Sequence, residues 1–349
     1  MQETNKLESK SLKKKLLYEV SYIRPFVIFL LVFMHSFSHI KYIEIDSHNV
    51  ELLSVYQWMI DFIRGFRIET IAFVAGYVFS YQTNDLNKRS SFWSFVKKKI
   101  LRLIVPMLFF SSIYYFIFIY KAETFSFDTF IIEVLSGAGH LWFLPMLFWC
   151  FLFIWIIDYY KLVLAWMFLI LAILTLIPVF DLPLGFSRLP QFLFYVYSGY
   201  CLWINKQRLL NCTQSNGVIV ILIIGYIALV FLENLFITGW NLYLDFIWRH
   251  SIILVKACIG ILALYSIVYR YTNRQGFQPS EMVVATSGIC YGVYVFHQFI
   301  LKFLYTYTNI YATFGDILTP WVGFAITLFF SIVLTKIVLK TNLGRFFIG

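Results

Sequence analysis

Apolar runs of about 18 to 25 residues, parted by short polar or basic segments, recur from one end of the chain to the other. Roughly 20 apolar residues cross a hydrocarbon core of ~30 Å, and backbone in that core must satisfy its own hydrogen bonds, so such a chain folds as membrane helices. The runs fall near residues 22–40, 58–82, 100–120, 139–157, 162–180, 187–204, 217–234, 246–268, 284–305 and 318–339. They predict an all-α, polytopic helix bundle of about ten crossings. Composition agrees: 13% of the 349 residues are charged and 60% hydrophobic, with a mean hydropathy of +0.77. A soluble domain carries about 25% charged residues.

The net charge of +10 could signal a nucleic-acid partner in a soluble protein. Here the basic residues edge the apolar runs, which points to the membrane surface and its lipids, and away from nucleic acid. With a cytoplasmic amino terminus, inner loops collect Lys13, Lys14, Lys15, Lys97, Lys98, Lys99, Arg102, Lys206, Arg208, Arg270, Arg274, Lys340 and Arg345. The outer loops then keep Lys41, Lys121 and Arg188, with Arg249 at a helix edge, so positive loops inside place both termini in the cytoplasm. No internal repeat or linker divides the chain. We read a basic segment at 1–21, a membrane domain at 22–340 and a short tail at 341–349. No small-residue cleavage site follows the first run in SFSHIKYIEI, so it is expected to remain as a membrane helix. The five cysteines have neither zinc nor redox spacing and read as apolar filler.

Ionisable groups inside an apolar run are costly there and mark candidate function. The first run carries Arg24 and His35 in RPFVIFLLVFMH. Eleven steps of ~1.5 Å put them about 16 Å apart, and three full turns put them on one helix face. Pro25 follows Arg24, where a first-turn proline would cost no hydrogen bond. The second run carries Arg64, Arg67 and Glu69, and the ninth carries His297 in YGVYVFHQFI. Counting the same rise from each end predicts that His35, Glu69 and His297 lie at one depth, with His140 capping that region from outside and Arg67 pairing with Glu69 or His297. His35 and His39 share a helical face and could bind a metal, but no third ligand is evident, so no metal is expected. The basic run KKKILRLIVP, with Lys97, Lys98, Lys99, Arg102 and Pro106, reads as a topology anchor that could also hold a cytosolic polyanion.

At these residues the chain resembles the membrane acyltransferase-3 family over nearly its whole length. That family's first helix carries Arg or Lys, ten residues, then His, and Arg24 and His35 satisfy the spacing. FVAGYVF, with Gly76 and Tyr77, is similar to its SGY or SGF element. Lys99, Arg102 and Pro106 correspond to its inner-loop Arg, Arg and Pro, and HLWFLPMLF and YGVYVFHQ are similar to further family elements. Lys99 keeps the charge of the usual Arg but loses its two-pronged grip on phosphate. Ala75 stands where Ser is more usual, which removes a hydroxyl.

The resemblance implies an O-acyltransferase of the bacterial inner membrane that moves an acyl group, acetyl above all, from cytosolic acyl-CoA to a cell-envelope saccharide or lipid-linked sugar. Acyl-CoA would be a co-substrate, with no tightly bound cofactor, and envelope polysaccharide biosynthesis machinery a candidate partner. Arg24, Lys99 and Arg102 would hold the coenzyme phosphates. His35 would be general base or acyl carrier, Glu69 would orient His35 or His297, and Arg67 and His297 are the candidates for stabilising the oxyanion. Arg67, His140 and Trp142 would meet the acceptor. A secondary transporter or flippase for an envelope saccharide or small molecule, with Arg24, Glu69 and His297 along its path, is the alternative. The missing repeat and the lack of matched Gly/Pro breaks count against it.

Overall fold

Helix occupies every apolar run, and local sequence explains where each helix begins, bends or stops. The computed structural model describes residues 17–38, 50–162, 165–176, 182, 184–206, 215–235 and 242–349. Its helices are α1 Tyr18–Ser38, α2 Val50–Arg64, α3 Arg67–Asn84, α4 Phe92–Lys99, α5 Val105–Phe118, α6 Phe127–Ser136 and α7 Phe143–Tyr159. They continue with α8 Ala165–Thr175, α9 Leu189–Ile204, α10 Asn216–Leu235, α11 Leu242–Thr272, α12 Glu281–Tyr307, α13 Ile310–Val338 and α14 Asn342–Ile348. No strand occurs among the described residues.

Six helices among the described residues are long and apolar enough to cross a membrane, fewer than the about ten runs predict. The difference has a local cause. Helices α7 and α9 have 17 and 16 residues, and the second run breaks at Gly65 and Phe66 into α2 and α3. A Cβ on Gly65 would lie 2.2 Å from Cε of Lys256, so the break sits where that buried lysine passes the backbone. Helix α1 also departs from expectation. It starts at Tyr18, inside the segment assigned to the basic terminus, so Pro25 lies within the helix and not in its first turn. Lacking an N–H, Pro25 leaves the Ser21 carbonyl without its usual partner.

Helix α1 packs against α2, α3, α11, α12 and α13 and forms the centre of the bundle. The tightest neighbours are α3 and α9, which meet through two glycines. A Cβ on Gly76 would lie 1.8 Å from the Val196 carbonyl oxygen, and one on Gly199 would lie 1.9 Å from that of Phe73. Small residues let membrane helices approach this closely. Two buried ion pairs brace the same bundle: Glu19 accepts from Lys206 at 2.9 Å and from the Tyr77 hydroxyl at 2.6 Å, while Lys256 pairs with Glu233. Helices α4 and α5 form one rod through a π-helical turn at Ile100–Ile104.

Candidate active site

Three imidazoles converge at one end of the bundle. His35 comes from the last turn of α1, His297 from the middle of α12, and His140 from the turn just before α7. That turn takes its shape from Gly137 and Gly139, both at positive φ (82° and 63°), where a side chain is strained. A Cβ on Gly139 would also lie 2.7 Å from the Tyr114 ring, so the glycine lets His140 come in close. The His297 ring centroid lies 5.3 Å from that of His35 and 4.8 Å from that of His140.

Hydrogen bonds fix the tautomers of the two inner rings. His297 Nδ1–H donates to the Tyr294 carbonyl at 2.6 Å, and His140 Nε2–H donates to the Val295 carbonyl at 3.0 Å. The neutral rings are thus left with buried lone pairs on His297 Nε2 and His140 Nδ1, neither of which has a partner. His297 in this tautomer accepts and does not donate, which goes against its expected use as an oxyanion donor. Gln298 Nε2 lies 3.0 Å from His35 Nδ1. As placed, the amide donates; a half-turn lets Nδ1–H donate to the amide oxygen and makes Nε2 the basic nitrogen.

A cavity of about 790 Å³ opens over these rings, lined by His35, Arg67, His140 and Trp142 with Gln298 and Lys302. Arg67 is buried, and its Nε and Nη1 have no hydrogen-bond partner. Glu69 shares the burial but not the cavity lining; its charged neighbours are Arg67 and Lys256. It therefore stands behind Arg67, away from His35. Trp142 is half-buried and carries the Arg188 guanidinium 3.8 Å above its ring.

A second cavity, of about 1110 Å³, lies at the far end of α7. Lys88, Arg89, Lys98, Lys99, Arg102 and Arg345 line it, and its acidic side chain is Asp158. That carboxylate is already engaged by Lys161 at 2.9 Å, by the Tyr200 hydroxyl at 2.7 Å and by Arg89 at 3.7 Å. The cavity's charge is therefore largely uncompensated. Lys99 closes α4 with its ammonium 3.2 Å from the Phe151 ring centroid. Arg102 sits in the π-helical turn, a form that recurs at functional sites. Pro106 has no N–H for the Arg102 carbonyl, and the Tyr291 hydroxyl fills the gap by donating at 3.2 Å. Arg24 does not line this cavity; it is exposed on α1 within electrostatic range of Arg102. Tyr291→Phe is expected to cost about 1 kcal/mol and to raise the KM of the ligand bound here with little change in kcat, as initial-rate kinetics would show.

The two cavities lie at opposite ends of α7, whose 17 residues span roughly 25 Å. Between them α5 runs from the Arg102 turn to Tyr114, which lines the histidine cavity, over roughly 18 Å. Sequence reading places Arg24, Lys99 and Arg102 together, and His35, Glu69 and His297 at one depth with His140 as a cap. In the structure Lys99 and Arg102 line one cavity with Arg24 outside it, and the three imidazoles meet while Glu69 lies off their cavity. It passed over Gln298 and Lys302, although each lies within a turn or two of His297 and was open to the same test for polar residues in apolar runs. Glu19 and Lys256 were missed for want of visible partners. Among the described residues no group of three or more His, Cys, Asp or Glu side chains could hold a metal ion, and His39 lies outside them.

Comparison with known proteins then gives a family. The family model Acyl_transf_3, described as an acyltransferase domain, matches residues 17–339. No curated protein and no solved structure matches the chain. Since the matched stretch takes in the histidine cavity, all three imidazoles, the Lys99 to Pro106 turn and the basic cavity apart from its lining at Arg345 and beyond, the chain belongs to the acyltransferase-3 family and is a multi-pass membrane acyltransferase.

Proposed function

We propose that the protein transfers an acyl group, acetyl in the first instance, from cytosolic acyl-CoA to a hydroxyl of an envelope saccharide or lipid-linked sugar. Its place would be the bacterial inner membrane, beside the machinery that builds the polysaccharide. The observation that carries this reading is the pairing of a cation-rich cavity at one end of α7 with an imidazole-floored cavity at the other. Lys99 and Arg102 hold the coenzyme phosphates in the basic cavity, with Arg24 adding positive charge from α1. The pantetheine arm then runs toward His35 over the roughly 18 Å from Arg102 to Tyr114.

His35 Nε2 takes the acceptor hydroxyl's proton as its oxygen attacks the thioester carbonyl. The carbon–sulfur bond breaks, and the coenzyme thiolate recovers the proton from the imidazolium. His297 lies close enough to share that proton, and Gln298 sets the His35 tautomer. Arg67 meets negative charge in this cavity, with Glu69 behind it as a positioning group. His140 and Trp142 line the acceptor's side.

The test is to incubate purified protein in nanodiscs with radiolabelled acetyl-CoA and envelope glycan. Label on the glycan is the expected result. Arg102→Gln should raise the acyl-CoA KM about 10- to 100-fold, the worth of a charge-assisted hydrogen bond. If the wild type neither binds nor consumes acetyl, succinyl or longer acyl-CoA, the proposal falls and the transporter or flippase reading takes its place.

A further inference from the structure

The histidine cavity holds more positive charge than esterification needs. A sugar hydroxyl is neutral before and after acylation, and the oxyanion between is transient and singly charged. Yet Arg64, Arg67 and Lys302 all line the cavity, and among the described residues none of its lining side chains is acidic.

Among these cations Arg67 is the one with buried nitrogens that lack a hydrogen-bond partner. Arg67 is 8% exposed, with both Nε and Nη1 unpaired. A buried guanidinium in that state is costly until an anion arrives. Glu69 lies within electrostatic range of Arg67 but off the cavity, and no hydrogen-bonded Arg67–Glu69 ion pair forms among the described residues, so the two guanidinium nitrogens stay open to a ligand. Arg64 pairs with Asp61 at 3.4 Å but keeps its side chain 52% exposed. Lys302 lies over aromatic faces, 5.0 Å from the Tyr114 centroid and 5.2 Å from that of Phe118. The Tyr311 hydroxyl, buried and without a partner on another cavity-lining residue, offers one more donor.

We propose that the acceptor is an anionic saccharide. Its phosphate or carboxylate is held by Arg67 and Lys302, and the hydroxyl to be acylated lies toward His35. This rests on the acyl-transfer reading above and adds the chemical class of the acceptor.

The experiment compares glucose 1-phosphate, glucuronate and glucose with purified full-length protein in nanodiscs of zwitterionic lipid. Equilibrium binding is measured by calorimetry and acetyl transfer by initial rates. Both anionic sugars should bind at least about tenfold more tightly than glucose, with the margin shrinking as salt rises. Arg67→Gln should remove most of that margin, weakening the anionic sugars and not glucose, through KM. Lys302→Gln should reduce it in the same direction and serves if the Arg67 variant fails to fold. Equal binding of all three sugars overturns the proposal. So does an Arg67→Gln effect that lowers kcat by one factor for charged and neutral acceptors alike, which would make Arg67 an oxyanion donor only. Phosphatidylglycerol in the nanodisc displacing the anionic sugars at stoichiometric amounts would assign the cavity to a lipid headgroup and overturn it as well. Transfer to glucose as fast as to glucuronate sinks the anionic acceptor and leaves acyl transfer standing. Tight anion binding without any acyl transfer does the reverse.

Discussion

His35→Ala is expected to lower acyl transfer by about 10²- to 10⁴-fold, the range that a positioned general base supplies. The protein should stay folded, because His35 is half-buried at the end of α1 and not part of the fully buried core. Its ring lines the cavity, faces His297 at 5.3 Å and is held by Gln298. His297 is not among the residues that line the cavity, and the free nitrogen of His140 is a fully buried Nδ1, so neither ring is placed to meet the acceptor as His35 is. Initial rates at saturating acyl-CoA, beside a melting curve of the same preparation, measure both halves of this expectation. Activity above about a tenth of wild type would remove His35 as the base. Incubation without acceptor separates base from carrier, since a carrier would leave hydroxylamine-sensitive label on the wild-type protein and none on the variant.

The second large effect concerns packing. Gly199→Ala should destabilise the bundle by the ~3 kcal/mol at the upper end of overpacking costs, or by more. The added methyl meets the Phe73 carbonyl oxygen at 1.9 Å, and that backbone cannot swing aside as a flexible side chain can. Gly76→Ala should behave alike, against the Val196 carbonyl oxygen at 1.8 Å. Gly288 is the control. It lies inside α12 with nothing within 4 Å of a built Cβ, so Gly288→Ala should be neutral or slightly stabilising. Size-exclusion profiles and melting temperatures in one detergent compare the three, and a well-folded Gly199→Ala would show that α3 and α9 are free to part.

Those packing distances also show which features could be read from the chain. Apolar run length located the helices, because hydrocarbon imposes length and internal hydrogen bonding at once. It could not locate the break at Gly65, which depends on Lys256 from a helix far along the sequence. It set the start of α1 too late, because Glu19 looks like a solvent-facing residue until Lys206 and Tyr77 are brought to it. In the site, counting rise per residue placed His35 and His297 together, since depth along a straight helix is a local quantity. Glu69 is only two residues from Arg67, yet it turns behind the cavity while Arg67 lines it. That direction depends on how α3 is rotated, which its neighbours decide. Gln298 gained its meaning only when α1 came alongside α12.

The opposed mouths at the two ends of α7 bear on permeability. A carrier that shuttles must open its whole width to each side in turn, and every opening risks a leak of ions. In the proposed acyl transfer the bulky, highly charged donor stays at one mouth and the acceptor at the other while a handful of atoms passes between them. The route this requires is no wider than an acyl chain, and packed imidazoles stand at its far end. In the proposed reaction the energy of a thioester made inside the cell is spent outside it, in a compartment without nucleotide fuel, while the electrical barrier stays intact.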